Sequence, residues 1–174
     1  MGGIGHYGII FASALGAETY AISRTHAKEA DMKSLGAAGF IATSDKDWEV
    51  PHKMTFDLIV NTANGSEGFE LGKYLSLLDV HGRFVSVGLP EDSGNMVHAK
   101  DLISNGVLMG ASHIGNRKET IEMLQLAADK GLKSMVQEIP ISEEGLKEAV
   151  TKLKKNDVRY RFTMTEYEKA FPDA

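Results

Sequence analysis

The stretch GGIGHYGIIFASALGAETYAISRTHAK, residues 2–28, decides the fold. It opens on Gly2, Gly3 and Gly5. Apolar Ile9, Ile10, Ala12 and Leu15 follow, so residues 5–15 are expected to form a helix. Gly16-Ala17 ends it, and residues 19–22 are a short apolar run of strand type. In the pattern G-x-G-x-x-G, Gly2 takes the place of the second glycine and Gly5 of the third. Gly2 would let the backbone approach a pyrophosphate. Gly5 would allow close helix–strand packing, and the helix N-terminus would supply amide donors and a positive dipole end. The first glycine of the pattern, and the strand before it, are missing from a sequence that begins at Met1. On the glycines alone, a merely flexible chain start remains an alternative.

The end of the second strand carries the next signal. An acid there holds the ribose hydroxyls of NAD and repels an added phosphate. Here the run TYAI leads into Ser23-Arg24-Thr25, with Lys28 one turn later. A hydroxyl, a guanidinium and an ammonium make a cradle for the 2′-phosphate of NADP. The competing reading is a solvated helix start with ordinary basic residues.

Outward from this stretch, strands and helices alternate. Helices are expected at residues 25–35, 69–78, 98–105 and 118–130. Strands are expected at 40–43, 56–61, 83–87, 107–110 and 135–139. The run FDLIVN, 56–61, reads as a strand buried on both faces, because its apolar residues do not alternate with polar ones. Ile121, Leu124 and Ala128 form the apolar face of helix 118–130. Such alternation indicates an α/β fold, a Rossmann-type parallel sheet with helices on both faces and its first strand missing. After Pro140 the style changes. Ser142 caps a charged helix, 143–155, and VRYRFTM reads as a strand. The expected domains are therefore a truncated NADP-binding domain, 1–140, and a C-terminal helix–strand segment, 141–174.

Bulk properties narrow the function classes. Of 174 residues, 43% are hydrophobic and 25% charged, enough for a packed core. A net charge of −5 argues against nucleic acid as the main partner, and no apolar run is long enough to span a membrane. The start lacks the basic flank of a signal peptide, so a cytoplasmic location is expected. Cysteine is absent, which excludes disulfides, thiol nucleophiles and any cysteine-ligated zinc. The six histidines form neither H-x-x-x-H nor H-E-x-x-H pairs, so no metal site is expected. No tyrosine has a lysine four residues on, no G-x-S-x-G elbow occurs, and Glu143-Glu144 reads as a capped helix start. No catalytic residue is assigned.

The segments GGIGHYGIIFASALGAETYAISR, FDLIVNTA, GRFVSVGLPE, GASHIGNRKE and NDVRYRFTM resemble the cinnamyl-alcohol-dehydrogenase-like, NADP-dependent branch of the zinc-dependent medium-chain alcohol dehydrogenases, in order along essentially the whole chain. The resemblance implies roles by position. Gly2, Gly3, Ile4 and Gly5 would form the pyrophosphate turn. Ser23, Arg24 and Lys28 would contact the 2′-phosphate, and Thr62 and Ala63 would lie beside the cofactor ribose. Val87, Gly88 and Leu89 would run along the nicotinamide, with Ser112, His113 and Ile114 at its carboxamide end. Arg159 and Arg161 would belong to the segment that returns to the catalytic domain.

The resemblance covers only the cofactor-binding half. The implied activity is hydride transfer between NADPH and an aldehyde, with this chain catalytically incomplete alone. A non-catalytic binding or interaction protein built on the same domain stays open, as does a shortened product without independent function. NADP(H) is the expected ligand. A homo-oligomer is expected too, because strands two and four would flank an open slot. Leu146, Val150, Leu153, Tyr160 and Phe162 would expose an apolar patch, and the family dimerises near the outer strand assigned to 135–139.

Overall fold

A computed structural model describes residues 2–63, 68–88, 97–155 and 157–172, in two compact units, Gly3–Leu132 and Lys133–Ala174. The fold is α/β with every strand pairing parallel, as expected. Leu89 lies outside the described residues.

In the first unit, helix α1 spans Gly3–Ala14 and buries Gly5, His6, Ile9 and Ile10. It starts earlier than expected, so Gly3 and Ile4 are part of its first turn. Strand β1, Tyr20–Ser23, pairs with β2, Gly39–Ala42, in the register Tyr20↔Gly39 to Ser23↔Ala42. The helix expected at 25–35 is two pieces. A 3₁₀ turn, His26–Lys28, runs into helix α2, Glu29–Ser34, which ends before Gly36 at φ +104°. Short parallel strands need such a crossover, and the glycine reverses the chain where a side chain would be strained.

Strand β3, Phe56–Asn61, pairs with β4, Leu78–Ser86, which pairs with β5, Leu108–Ala111. Helix α3, Leu71–Ser76, stops short of the expected 78, and β4 begins almost at once. Leu78 pairs with Phe56, but the next partner of β3 is Arg83, opposite Leu58. The intervening residues bulge out through His81, at φ 62°. Asn105 holds this bulge, its Nδ2 donating to Leu78 O at 2.7 Å while its own carbonyl accepts from His81 N at 2.9 Å. The helix expected at 69–78 therefore gives way to strand at Leu78. Helix α4, Ala99–Ile103, precedes β5, and helix α5, Arg117–Lys130, follows it.

The expected open slot concerns strands β1 and β3. Among the described residues β1 pairs only with β2, β3 pairs only with β4, and no ladder joins β1 to β3. The two ladders still share a core. Ile41 of β2 packs with Ile59, Leu71, Leu75, Leu77, Leu78, Phe84 and Val107, and the Tyr20 and Phe56 rings lie 5.2 Å apart. One expectation of burial fails here. In β3 only Ile59 is buried, while Leu58 and Val60 are exposed, so the apolar run is covered on one face. In α5 nothing is buried, and Ile121 and Leu124 stand 56% and 58% exposed. The capping box of Asn116 and Glu119, not packing within this chain, defines that helix, with Gly131 closing it at φ 61°.

In the second unit, β6, Val136–Pro140, pairs with β7, Arg161–Thr165. Sequence placed this strand last in the first unit's sheet. Its ladder partner among the described residues is β7, and the two compact units divide between Leu132 and Lys133. Helix α6, Glu143–Lys154, makes the crossover between them, capped by Ser142 Oγ, which accepts from Gly145 N at 2.9 Å. Helix α7, Tyr167–Ala170, ends the described chain. Of the expected apolar patch, Leu146, Val150 and Leu153 are exposed, but Tyr160 is buried and Phe162 half-buried.

Candidate functional site

Most of the expected site residues lie at or just past the carboxyl ends of the parallel strands, or at the start of α1. The direction of α1 follows from one contact. A Cβ on Gly36, which lies just before β2, would meet Ser13 Oγ at 2.6 Å. The C-terminal end of α1 is therefore at the amino ends of the strands. Its start lies at the other end of the helix, about 1.5 Å per residue away. There Gly3, Ile4 and Gly5 present first-turn amides that no helical carbonyl can satisfy. A Cβ on Gly2 would meet nothing within 4 Å, so the approach is open. The buried His6 ring places Nδ1 2.8 Å from Gly3 O, an acceptor, so that nitrogen carries the proton.

Ser23 closes β1, and the ladder continues past the strands. Thr43 N donates to Ser23 O and Ser44 N to Arg24 O, each at 2.8 Å. Arg24 is exposed and Lys28 half-buried, at the far end of the 3₁₀ turn. No carboxylate closes β1, as the sequence indicated.

The second cluster joins the ends of β3, β4 and β5. Val87 N and Gly88 N both donate to Asn61 O, at 2.9 and 3.2 Å. The Asn61 side chain works in both directions, its Oδ1 accepting from Ala63 N at 3.1 Å and its Nδ2 donating to Ser86 Oγ at 3.3 Å. Ser86 Oγ donates on to Gly88 O at 3.4 Å, and Ser86 O accepts from Ser112 N at 3.1 Å. Gly88 is required here. A Cβ would lie 2.0 Å from Ala63 O and 3.1 Å from the Thr62 carbonyl carbon. Thr62, Ala63, Val87, Gly88 and Ser112 are thus brought together. His113 accepts at its carbonyl from Ser112 Oγ at 3.1 Å, while Ile114 is 84% exposed and not drawn in among the described residues.

Sequence reasoning passed over Asn61 and Ser86, which organise this cluster. The signal was a polar residue at the end of each apolar run, FDLIVN and RFVSV. It also set aside His26, which bonds Glu29 and Asp45 beside Arg24.

The pattern of zinc-binding dehydrogenases matches residues 3–129. The chain belongs to the zinc-binding dehydrogenase family. Among its relatives is the NADP-dependent alcohol dehydrogenase 6 of Saccharomyces cerevisiae, 38% identical over 99% of this chain and 48% of that protein. A cinnamyl alcohol dehydrogenase of Sorghum bicolor superposes with a TM-score of 0.85 at 29% identity, covering 94% of this chain and 45% of the other. A CAD from Helicobacter pylori complexed with NADP(H) gives 0.77 at 26% identity, with coverages of 94% and 45%. The chain thus spans about half the length of the zinc-binding dehydrogenases it matches. The zinc in the family's name lacks a fitting donor set here. The chain has no cysteine, and among the described residues no three His, Asp or Glu side chains come together to hold a metal. No helix of those residues is long and apolar enough to cross a membrane.

Proposed function

We propose that this chain is the NADP(H)-binding portion of an alcohol dehydrogenase or aldehyde reductase, and that it binds NADP(H) without turning over an aldehyde on its own. The observation that carries the reading is the end of β1. Ser23 and Arg24 stand where an NAD-specific domain places an acid, and Lys28 follows across the 3₁₀ turn.

The cofactor, when bound, supplies the hydride; the chain's residues bind and orient it. The first-turn amides of Gly3, Ile4 and Gly5, with the open approach at Gly2, fit a pyrophosphate. Arg24 and Lys28 supply charge for the 2′-phosphate, with the Ser23 hydroxyl beside them. The Asn61–Ser86 network holds Thr62–Ala63 against Gly88 and Ser112, a fixed floor for the ribose and nicotinamide end. Ligands of open parallel sheets sit in the crevice at these carboxyl ends. Leu89, His113 and Ile114 complete the set that we assign.

We also propose a homo-oligomer. All of β5 is exposed, as are Ile121 and Leu124 of α5, leaving an apolar outer edge. The absence of cysteine is compatible with a reducing compartment, and we place the protein in the cytoplasm.

A second reading is a non-catalytic binding protein on the same domain; the chain has no cysteine, and no group of three metal-ligating side chains occurs among the described residues. Mixing the chain with NADPH and an aldehyde, and following nicotinamide absorbance, tests the proposal. Binding without turnover is expected, and turnover by the chain alone contradicts it. Turnover restored by adding the part of the yeast relative that this chain does not match decides against the second reading.

A further inference from the structure

His26 lies between two carboxylates. Its Nδ1 is 2.7 Å from Glu29 Oε2 and its Nε2 is 3.0 Å from Asp45 Oδ2. An ionised carboxylate only accepts, so both ring nitrogens must donate, and only the imidazolium has two N–H groups. Lys33 Nζ holds the other Glu29 oxygen at 2.7 Å and, with His26 after it, keeps that carboxyl below its usual range. The Phe40 ring of β2 packs beside the imidazole at 5.9 Å.

The position of His26 matters more than its charge alone. The rungs Thr43 N to Ser23 O and Ser44 N to Arg24 O carry the β1–β2 pairing past the strand ends, and His26–Asp45 is the next link. His26–Glu29 ties the same loop to the first residue of α2. The imidazolium therefore fixes the turn that carries Arg24 on one side and Lys28 on the other. It also neutralises carboxylate charge on a loop assigned to an anion.

We propose that His26 is a positioning residue of the 2′-phosphate site, and that its imidazolium couples the preference for NADP(H) over NAD(H) to pH. This rests on the reading of Ser23, Arg24 and Lys28 as the phosphate cradle. The charged groups facing His26 are Glu29 from α2 and Asp45 from the turn after β2, with Lys33 acting through Glu29. Arg24 and Lys28 share its own loop. The hydrogen bond to Glu29, then that to Asp45, raises the His26 pKa above 6.5. A raised pKa means that the clamp is fully present below 6.5 and is lost as pH rises through the higher folded value.

The test compares dissociation constants for NADPH and NADH at about pH 6 and about pH 8.5, on either side of the histidine titration. It uses the full chain and its His26→Gln, His26→Lys and Arg24→Asp variants. The 2′-phosphate itself titrates near pH 6, but equally in all variants, so it cancels between them. His26→Lys keeps a cation throughout and is expected to hold its NADPH preference. The unmodified chain is expected to fall about two- to fivefold behind it at the higher pH, and His26→Gln to lag at both. The His26 ring resonances of the unmodified chain should titrate with a midpoint above 6.5.

A midpoint at or below 6.5, or identical profiles for the unmodified chain and both His26 variants, overturns the role of His26. If Arg24→Asp abolishes the preference while those profiles coincide, the phosphate cradle stands and only this inference falls. If Arg24→Asp changes nothing, or the unmodified chain binds no NADPH, both fall together.

Discussion

At the scale of single residues, charge and close approach decide the site. Replacing Arg24 by Asp puts a carboxylate where the 2′-phosphate is assigned. One charge-assisted contact is worth roughly 1.5–3 kcal/mol, so NADPH affinity should drop on the order of tenfold to a hundredfold, with NADH little affected, as read by calorimetry. Gly88 supports a second prediction. An added Cβ would meet the Ala63 carbonyl oxygen at 2.0 Å, and backbone cannot swing away as a flexible side chain can. Gly88→Ala should cost about 1–3 kcal/mol of stability, seen as a lowered melting temperature. An unchanged melt would mean that the two loops are not held as tightly as Asn61 suggests. The positions of the proposed site residues, at a helix start and at strand ends, were legible in the sequence, because local spacing marks both. Asn61 and Ser86 were not. Their roles depend on which strand ends lie side by side, and adjacency is a product of the sheet, not of local spacing.

At the scale of elements, local signals held where they were self-contained and failed where neighbours decide. Helix α5 was legible, since capping and stop residues are carried within it. Asn116→Ala removes one half of the capping box and should destabilise the chain by about 0.5–2 kcal/mol, with loss of helical signal concentrated in residues 117–130. A smaller loss than this lower bound would show that α5 is held by something other than its cap. The face of Ile121 and Leu124, by contrast, stays exposed among the described residues, since what covers a face is not carried in the element itself. The same holds for β6. As a run of residues it fits the end of a Rossmann sheet, yet its hydrogen-bond partner is β7, far along the sequence. Leu78, the start of β4, fell inside the expected helix 69–78, since the strand leaves α3 almost directly and no turn residue marks the change.

At the scale of the whole molecule, strand edges remain open. Among the described residues the end strands of the three ladders, β1 and β2, β3 and β5, β6 and β7, each lack a neighbour on one side. Unpaired edges and the apolar side chains beside them seek partners. Static light scattering at micromolar concentration should therefore give a mass at least twice the 18.9 kDa of one chain. A monomer with a cooperative melt would contradict this. The central claim is that the chain binds a phosphorylated nicotinamide cofactor through the loop after β1, and titration calorimetry with NADPH and NADH on the unmodified chain tests it most directly. NADPH binding at least about tenfold tighter than NADH is the result expected from one charge-assisted phosphate contact; equal affinities for the two would contradict it.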